Sequence, residues 1–221
     1  MSDSAHPGIL AHFVHEQFAT ERQQRETRTF GMWIFLITEV MFFGALFTTF
    51  TVYRMYYHVA FAAGSADMEI VLGSINTAVL ITSSMTMAMA VYSAEIGKER
   101  LISLFLILTI ILGCVFLGIK FTEYYRHYLD HEMPGAWWNY AGPNGPKVEM
   151  FFVFYFFMTG LHAIHMIIGV VLLLFILGRA LAGSFRGGYY TPVAIAGLYW
   201  SFVDIIWVFL FAIFYLQGLH K

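Results

Sequence analysis

The fold class this sequence predicts is all-α, an integral membrane bundle of five transmembrane helices. Three observations predict it. Hydrophobic residues fill 59% of the 221 positions. Charged residues fill only 12%, about half the ~25% of a soluble domain, and mean hydropathy is +0.70. Five apolar runs also reach the ~20 residues needed to cross a hydrocarbon core. Strands are excluded because these runs are too long and lack strict alternation.

Residues 1–29 are polar and contain no central apolar block of the kind found in a cleavable signal. They read as an N-terminal cytoplasmic segment. Leu10, Phe13, Val14 and Phe18 fall near one helical face there. That pattern suits either a short helix lying on the membrane or a partner, or a polar tail. Residues 30–221 read as the five-helix membrane domain. Its first span, Gly31–Tyr53, doubles as the insertion signal. The second is Ile70–Tyr92 and the third Leu101–Tyr124. The fourth is Met150–Leu177 and the fifth Val193–Leu216, with Pro192 at a helix start. The connections Ser93–Arg100 and Gly178–Pro192 are short, so the second and third spans should be antiparallel neighbours, and likewise the fourth and fifth. The longer connection Tyr125–Glu149 carries "EMPGAWWNYAGPNGP". Its Gly, Pro and Asn residues favour turns, and Trp137 and Trp138 suit the interfacial belt. There is no internal repeat and no low-complexity tract.

Basic residues set the orientation. Arg22, Arg25, Arg28, Lys98, Arg100, Arg179 and Arg186 fall on one side; Arg54, Arg126, Lys147 and Lys221 fall on the other. The bias places the N-terminus in the cytoplasm and the C-terminus outside, in the periplasm or its equivalent. Lys98, Arg100, Arg179 and Arg186 are also candidates for anionic lipid headgroups, although the charge bias alone accounts for them. A net charge of −2 gives no basis for binding nucleic acid. The single Cys114 excludes a disulfide framework and reads as a small buried hydrophobe.

The informative residues are polar ones at membrane depth, which ordinarily face a bundle interior and pair there. Glu39 lies in "FLITEVMFFG", Asn76 and Thr77 in the second span, and Lys120 and Glu123 in "LGIKFTEYY". His162 and His165 lie in "MTGLHAIHMIIG", and Asp204 in "LYWSFVDIIWVFLF". Trp200, Ser201 and Trp207 share the face of Asp204 by helical spacing. An indole N–H or a serine hydroxyl is thus placed to satisfy that carboxyl, and a histidine of the fourth span is a further partner. Lys120 and Glu123 form an i,i+3 pair near a helix end, where both can snorkel. Glu39 has no opposite charge nearby in the sequence. It is a candidate for proton handling, with structural pairing or protonation as the alternatives, and for Asp204 too proton handling stands against structural pairing. For the two histidines, metal or haem ligation stands against interhelical hydrogen bonding; no third ligand accompanies them. "RGGYYTP" reads as a turn, and no nucleotide-binding, zinc-protease or Cys/His metal pattern is present.

Five blocks resemble subunit III of the haem–copper oxidases, chiefly cytochrome c oxidase: "GMWIFLITEVMFFGALF", "INTAVLITSS", "IKFTEYY", "FFMTGLHAIHMIIG" and "YWSFVDIIWVFLF". They occur in family order and cover about Gly31 to Leu216. The chain looks like the shorter five-helix form, without the first two helices of longer members. Ser201 stands where the family usually has histidine. The resemblance implies a bundle docked on the catalytic subunit, with oxidase subunits I and II, further respiratory subunits and membrane lipid as partners. It implies haem and copper held in partner subunits, no cofactor and no small-molecule substrate bound by this chain, and bound phospholipid. The activity implied is that of a bacterial plasma-membrane oxidase passing electrons from cytochrome c to oxygen, reducing it to water and pumping protons. This chain would be a non-catalytic subunit that stabilises the catalytic one and supports proton uptake. Subunit III of a quinol oxidase and an accessory subunit of a nitric oxide reductase are the nearest alternatives. A small membrane transporter and an assembly protein are alternatives of other classes.

Overall fold

The structure, a computed structural model, describes residues 21–135, 138–139, 145–183 and 190–216. The described residues form six α-helices: α1 (Glu21–Tyr56), α2 (His58–Ala66), α3 (Ile70–Glu95), α4 (Glu99–Leu129), α5 (Gly145–Leu181) and α6 (Thr191–Phe214). All but α2 are long and apolar enough to cross a membrane. They correspond to the five spans expected from hydropathy; the first four are extended at one or both ends, whereas α6 begins two residues earlier, at Thr191, and ends at Phe214, two residues short of the expected Leu216. The extension is largest in α1. Arg22 and Arg28, expected in a polar tail, lie within its first turns, and Arg22 pairs with Glu26 one turn on at 2.8 Å. The amphipathic stretch around Phe13 lies outside the described residues.

The chain divides into two compact units. Residues 1–41 form one, whose described part is the first half of α1, and residues 42–221 form the other. Within the second unit, α3 packs on α4 and α6, α5 packs on α4 and α6, and α2 packs on α5. The short α3–α4 and α5–α6 connections thus join neighbours, as their lengths require. The α3–α4 turn closes with Gly97 in the left-handed region (φ 71°). Its N–H donates to the Ala94 carbonyl, and the Lys98 N–H reaches back to that of Ser93. This is the double closure that glycine favours at a helix end. The same closure ends α4, but with His131 at the left-handed position (φ 57°). The His131 N–H donates to Tyr128 O, and that of Glu132 to His127 O.

The short helix α2 was not expected. Its Phe61 packs among Phe50, Phe151 and Phe154. Its Ser65 hydroxyl donates to the Phe214 carbonyl at 2.7 Å, satisfying one of the acceptors a helix C-terminus leaves open. Cys114 corrects the sequence reading: it is exposed on α4. The face of α4 that turns inward carries Gly113, Phe116 and Lys120, and Cys114 points about 100° away from Gly113.

One large side chain organises the core of the second unit. Trp200 on α6 is 1% exposed and enters a notch left by Gly113 on α4 and Gly169 on α5. Its indole N–H donates to the Ser83 hydroxyl on α3 at 2.8 Å. A Cβ at residue 113 would stand 2.8 Å from the ring, whereas one at Gly118 would meet nothing within 4 Å. Gly113→Val should therefore cost about 1–3 kcal/mol through overpacking. Gly118→Val on the same helix should stay within about 0.5 kcal/mol of wild type. Denaturant titration of the purified protein in detergent would measure both.

Candidate functional site

The polar residues expected at membrane depth fall into three groups. The first is a closed cluster. Lys120 and Glu123 on α4 are 1% and 2% exposed and form an ion pair at 2.9 Å. The Lys120 ammonium also donates to Tyr155 Oη at 2.9 Å and to Tyr215 Oη at 3.0 Å. The Tyr215 hydroxyl in turn donates to Glu123 Oε1. All three ammonium protons are thereby used, and both carboxylate oxygens are engaged. Around the ammonium stand the rings of Tyr155 at 4.8 Å, Tyr124 and Trp207 at 5.1 Å and Tyr215 at 5.6 Å. Rings at such distances stabilise a cation further.

This geometry overturns the snorkelling expectation. Helix α4 continues nine residues beyond Lys120 to Leu129, roughly 13 Å at 1.5 Å per residue. The lysine therefore has no nearby helix end to reach. Charge is tolerated there because two tyrosines from α5 and the end of α6 close around it. Sequence reasoning missed both. Tyr155 was legible in part, since it shares a helical face with Thr159 and His162. Tyr215 lies beyond the last turn of α6, where no local pattern marks it. Its approach depends on Gly73 of α3, where a Cβ would stand 2.8 Å from the ring.

The second group comprises side chains anchored singly. The Trp207 indole N–H donates to Thr77 Oγ1 at 3.1 Å. His165 Nδ1 meets the Leu161 carbonyl at 2.8 Å, and its ring packs edge-on against Phe43. Tyr199 donates to the His165 carbonyl at 3.0 Å. Ser201 is half-buried on α6. The third group consists of buried residues whose polar atoms have no hydrogen-bond partner among the described residues: Asn76, His162 and Asp204. His162 instead lies between aromatic rings, 5.5 Å from Phe116 and 5.3 Å from Trp207. Ser84 of α3 faces the Asp204 carboxyl without making a hydrogen bond of ordinary geometry to it.

Two expectations for Asp204 are therefore corrected. Neither Trp200 nor Trp207 donates to it, because both indoles turn to hydroxyls of α3. No histidine of α5 reaches it either. Spacing put the four residues on one side of a helix, but an indole at i±3 or i±4 can point to its own helix or the next. Packing against Ser83 and Thr77 decided the matter. Glu39 lies in the N-terminal unit, partly exposed in the apolar middle of α1, and its side chain is not isolated. Lys98 and Arg100 are exposed at the α3–α4 turn, and Arg179 is half-buried near the end of α5. Arg186 lies outside the described residues. No group of three or more His, Cys, Asp and Glu residues suited to a metal ion occurs among the described residues.

Among the described residues these buried polar groups are either paired with one another or enclosed by apolar and aromatic side chains, an arrangement that holds the bundle's shape. Removing one charge of the cluster should cost about 3–5 kcal/mol, because the other is left buried and unpaired. Lys120→Met or Glu123→Leu alone should thus destabilise severely. The double variant should recover most of the loss, as measured by detergent-solubilised yield and thermal unfolding.

Comparison with known proteins places this architecture. The family model of cytochrome c oxidase subunit III matches residues 15–130 and 146–219. The chain is 32% identical over 200 residues to a probable quinol oxidase subunit 3 of Staphylococcus epidermidis, covering 88% of this chain and 90% of the relative. It is 30% identical over 190 residues to a cytochrome c oxidase subunit 3 of Thermostichus vulcanus, covering 86% and 87%. It is 28% identical over 190 residues to a cytochrome bo(3) ubiquinol oxidase subunit 3 of Pseudomonas aeruginosa, covering 86% and 84%.

Proposed function

The chain belongs to the cytochrome c oxidase subunit III family, and from that membership we propose that it is the non-catalytic third subunit of a proton-pumping terminal oxidase. As a multi-pass membrane protein of a haem–copper oxidase, it is part of an oxidoreductase complex. Haem and copper would sit in partner subunits I and II. This chain would brace the catalytic subunit, shield its flank and hold phospholipid against it, with its N-terminus in the cytoplasm.

The observation that carries the non-catalytic reading is the fate of the buried polar groups. Lys120 and Glu123 are saturated by each other and by two tyrosines. A group locked in this way is stabilising scaffold rather than a reacting centre. His162, the most buried histidine of the spans, is enclosed by Phe116 and Trp207. The family match lends no support to the transporter reading.

A second reading concerns the electron donor. Relatives named as quinol oxidase and as cytochrome c oxidase subunits resemble this chain equally well. Quinol is therefore the alternative donor. Purifying the intact assembly through a tag on this chain separates the two. Our reading expects a haem spectrum and a copper-bearing subunit II, with cytochrome c oxidised at a high rate. Oxidation of quinol alone selects the second reading, and a tagged chain that elutes without haem refutes both.

Within this reading Glu39 supports proton uptake. It is a carboxyl in the apolar middle of α1, among Phe and Met residues that leave few other proton carriers at that depth. Glu39→Gln should lower turnover or the proton-to-electron ratio, or hasten inactivation during turnover, while leaving the haem spectrum intact. Reconstituted vesicles with an external pH dye measure all three. If none of them moves, Glu39 has no such role.

A further inference from the structure

Two oxidisable side chains meet beside Lys120. Trp207 on α6 and Tyr215 just past its end are fully buried, with ring centroids 6.4 Å apart. Indole and phenol rings give up a single electron more readily than the phenyl rings packed around them, and an electron crosses a gap of this width rapidly. Tyr155 adds a third such ring, its hydroxyl 3.3 Å from that of Tyr215. What sets Trp207 and Tyr215 apart is where a proton can go when the electron leaves.

Trp207 has no base for its proton. Its N–H donates to the Thr77 hydroxyl at 3.1 Å. His162 lies against the indole ring, 5.3 Å between centroids, and its nitrogens bond to nothing among the described residues. An oxidised Trp207 therefore keeps its positive charge, and the Lys120 ammonium stands 5.1 Å from that ring. Like charges so close repel strongly where the dielectric is low. Tyr215 differs, because its hydroxyl donates to Glu123 Oε1, a carboxylate within the reach required of a proton acceptor. Tyr155 faces the same carboxylate, but the direct hydrogen bond is that of Tyr215. Losing its electron together with this proton, Tyr215 becomes a neutral phenoxyl, which the ammonium does not repel. Its oxygen keeps the hydrogen bond from Lys120 Nζ, at 3.0 Å. The charge pattern thus drives a hole from Trp207 to Tyr215. Glu123 also lines a crevice of about 210 Å³ whose rim carries the exposed Glu69, Arg126 and Asp130, so the phenoxyl stands one carboxyl group away from water.

We propose that Trp207, Tyr215 and Glu123 form a relay that draws stray oxidising equivalents out of the bundle. An oxygen-centred radical takes one electron from Trp207 and becomes its anion. Tyr215 then gives one electron to the Trp207 radical cation, restoring the indole, and one proton to Glu123, leaving a phenoxyl radical and a neutral carboxyl. A water-soluble one-electron reductant at the crevice returns the electron to the phenoxyl, and Glu123 returns the proton. Glu123 is bonded and inert in the resting protein and takes part only after the indole has been oxidised. Incomplete reduction of oxygen in a partner subunit is the source of such radicals; that source rests on the oxidase reading above, whereas the relay itself does not.

Laser photoionisation of the full-length chain in lipid nanodiscs tests the relay, because transient absorption separates indole from phenoxyl radicals. In the wild type the indole radical should decay as the phenoxyl radical grows. Trp207→Phe and Tyr215→Phe should each remove most of that growth, whereas Trp33→Phe and Tyr128→Phe should leave it in place. Tyr215→Phe should also prolong the indole radical severalfold. Growth should be slower in deuterated water, since a proton moves with the electron, and a purely structural role for Tyr215 gives no such effect. The isotope effect is read on the wild-type chain and needs no variant to fold. Ascorbate in the buffer should shorten the phenoxyl lifetime. The relay is overturned if phenoxyl growth survives in Tyr215→Phe, if the isotope effect is absent, or if ascorbate leaves the lifetime unchanged. A tagged chain that elutes without haem would remove the source of the oxidant and leave these results standing.

Discussion

A polar group buried between membrane-spanning helices must find its partner inside the protein, because the hydrocarbon offers none. In this chain that constraint concentrates on Lys120. Its ammonium is fully surrounded, and the surrounding groups come from three places: Glu123 on its own helix, Tyr155 on α5 and Tyr215 at the end of α6. No one of these helices can slide by a turn without exposing the charge. The cost of a mistake fixes the relative heights of α4, α5 and α6. Such a buried ion pair contributes to uniqueness of structure more surely than to net stability.

Shape supplies the second constraint. Trp200 fills the gap between three helices only because two glycines leave room for its ring. Its indole and that of Trp207 then reach hydroxyls of α3 two turns apart, at Ser83 and Thr77. These bonds run along antiparallel α3 and α6 in the order that their directions require. A further hydroxyl pair, Thr86 and Thr109 at 2.8 Å, sets α3 against α4. Interhelical hydrogen bonds of this kind are individually modest in membranes. Here they act with a tight steric fit, so register is specified by volume and by polarity together.

The fold was legible in the sequence because hydropathy integrates over some twenty residues, and short connections leave antiparallel packing as the simple solution. Lys120 with Glu123 was legible as a pair from its spacing. The tyrosines that complete the cluster were not, since Tyr155 and Tyr215 lie far along the chain and only helix packing brings them together. Asp204 was misjudged for a related reason. Periodicity says which residues share a face, and it does not say whether an indole on that face turns inward or toward a neighbour. Helix α2 escaped notice because nine residues of mostly small side chains carry too little signal. Cys114 shows the same limit, as an apolar run gives no hint of which of its members face outward when the whole helix is greasy. The family blocks recovered the oxidase relationship because they depend on residue order along the chain and not on side-chain direction.

Gly73 illustrates how far a missing atom can act. The ring of Tyr215 rests where a methyl group would otherwise stand, and that ring delivers the hydroxyl shared by Lys120 and Glu123. Positions 73 and 215 are therefore not free to drift separately over evolutionary time. A lineage that acquires a side chain at the first must shrink the aromatic at the second, and must then remove or neutralise the lysine it no longer chaperones. Three sites distant in the primary chain would change as a set, leaving a covariation signature for the shape of this bundle.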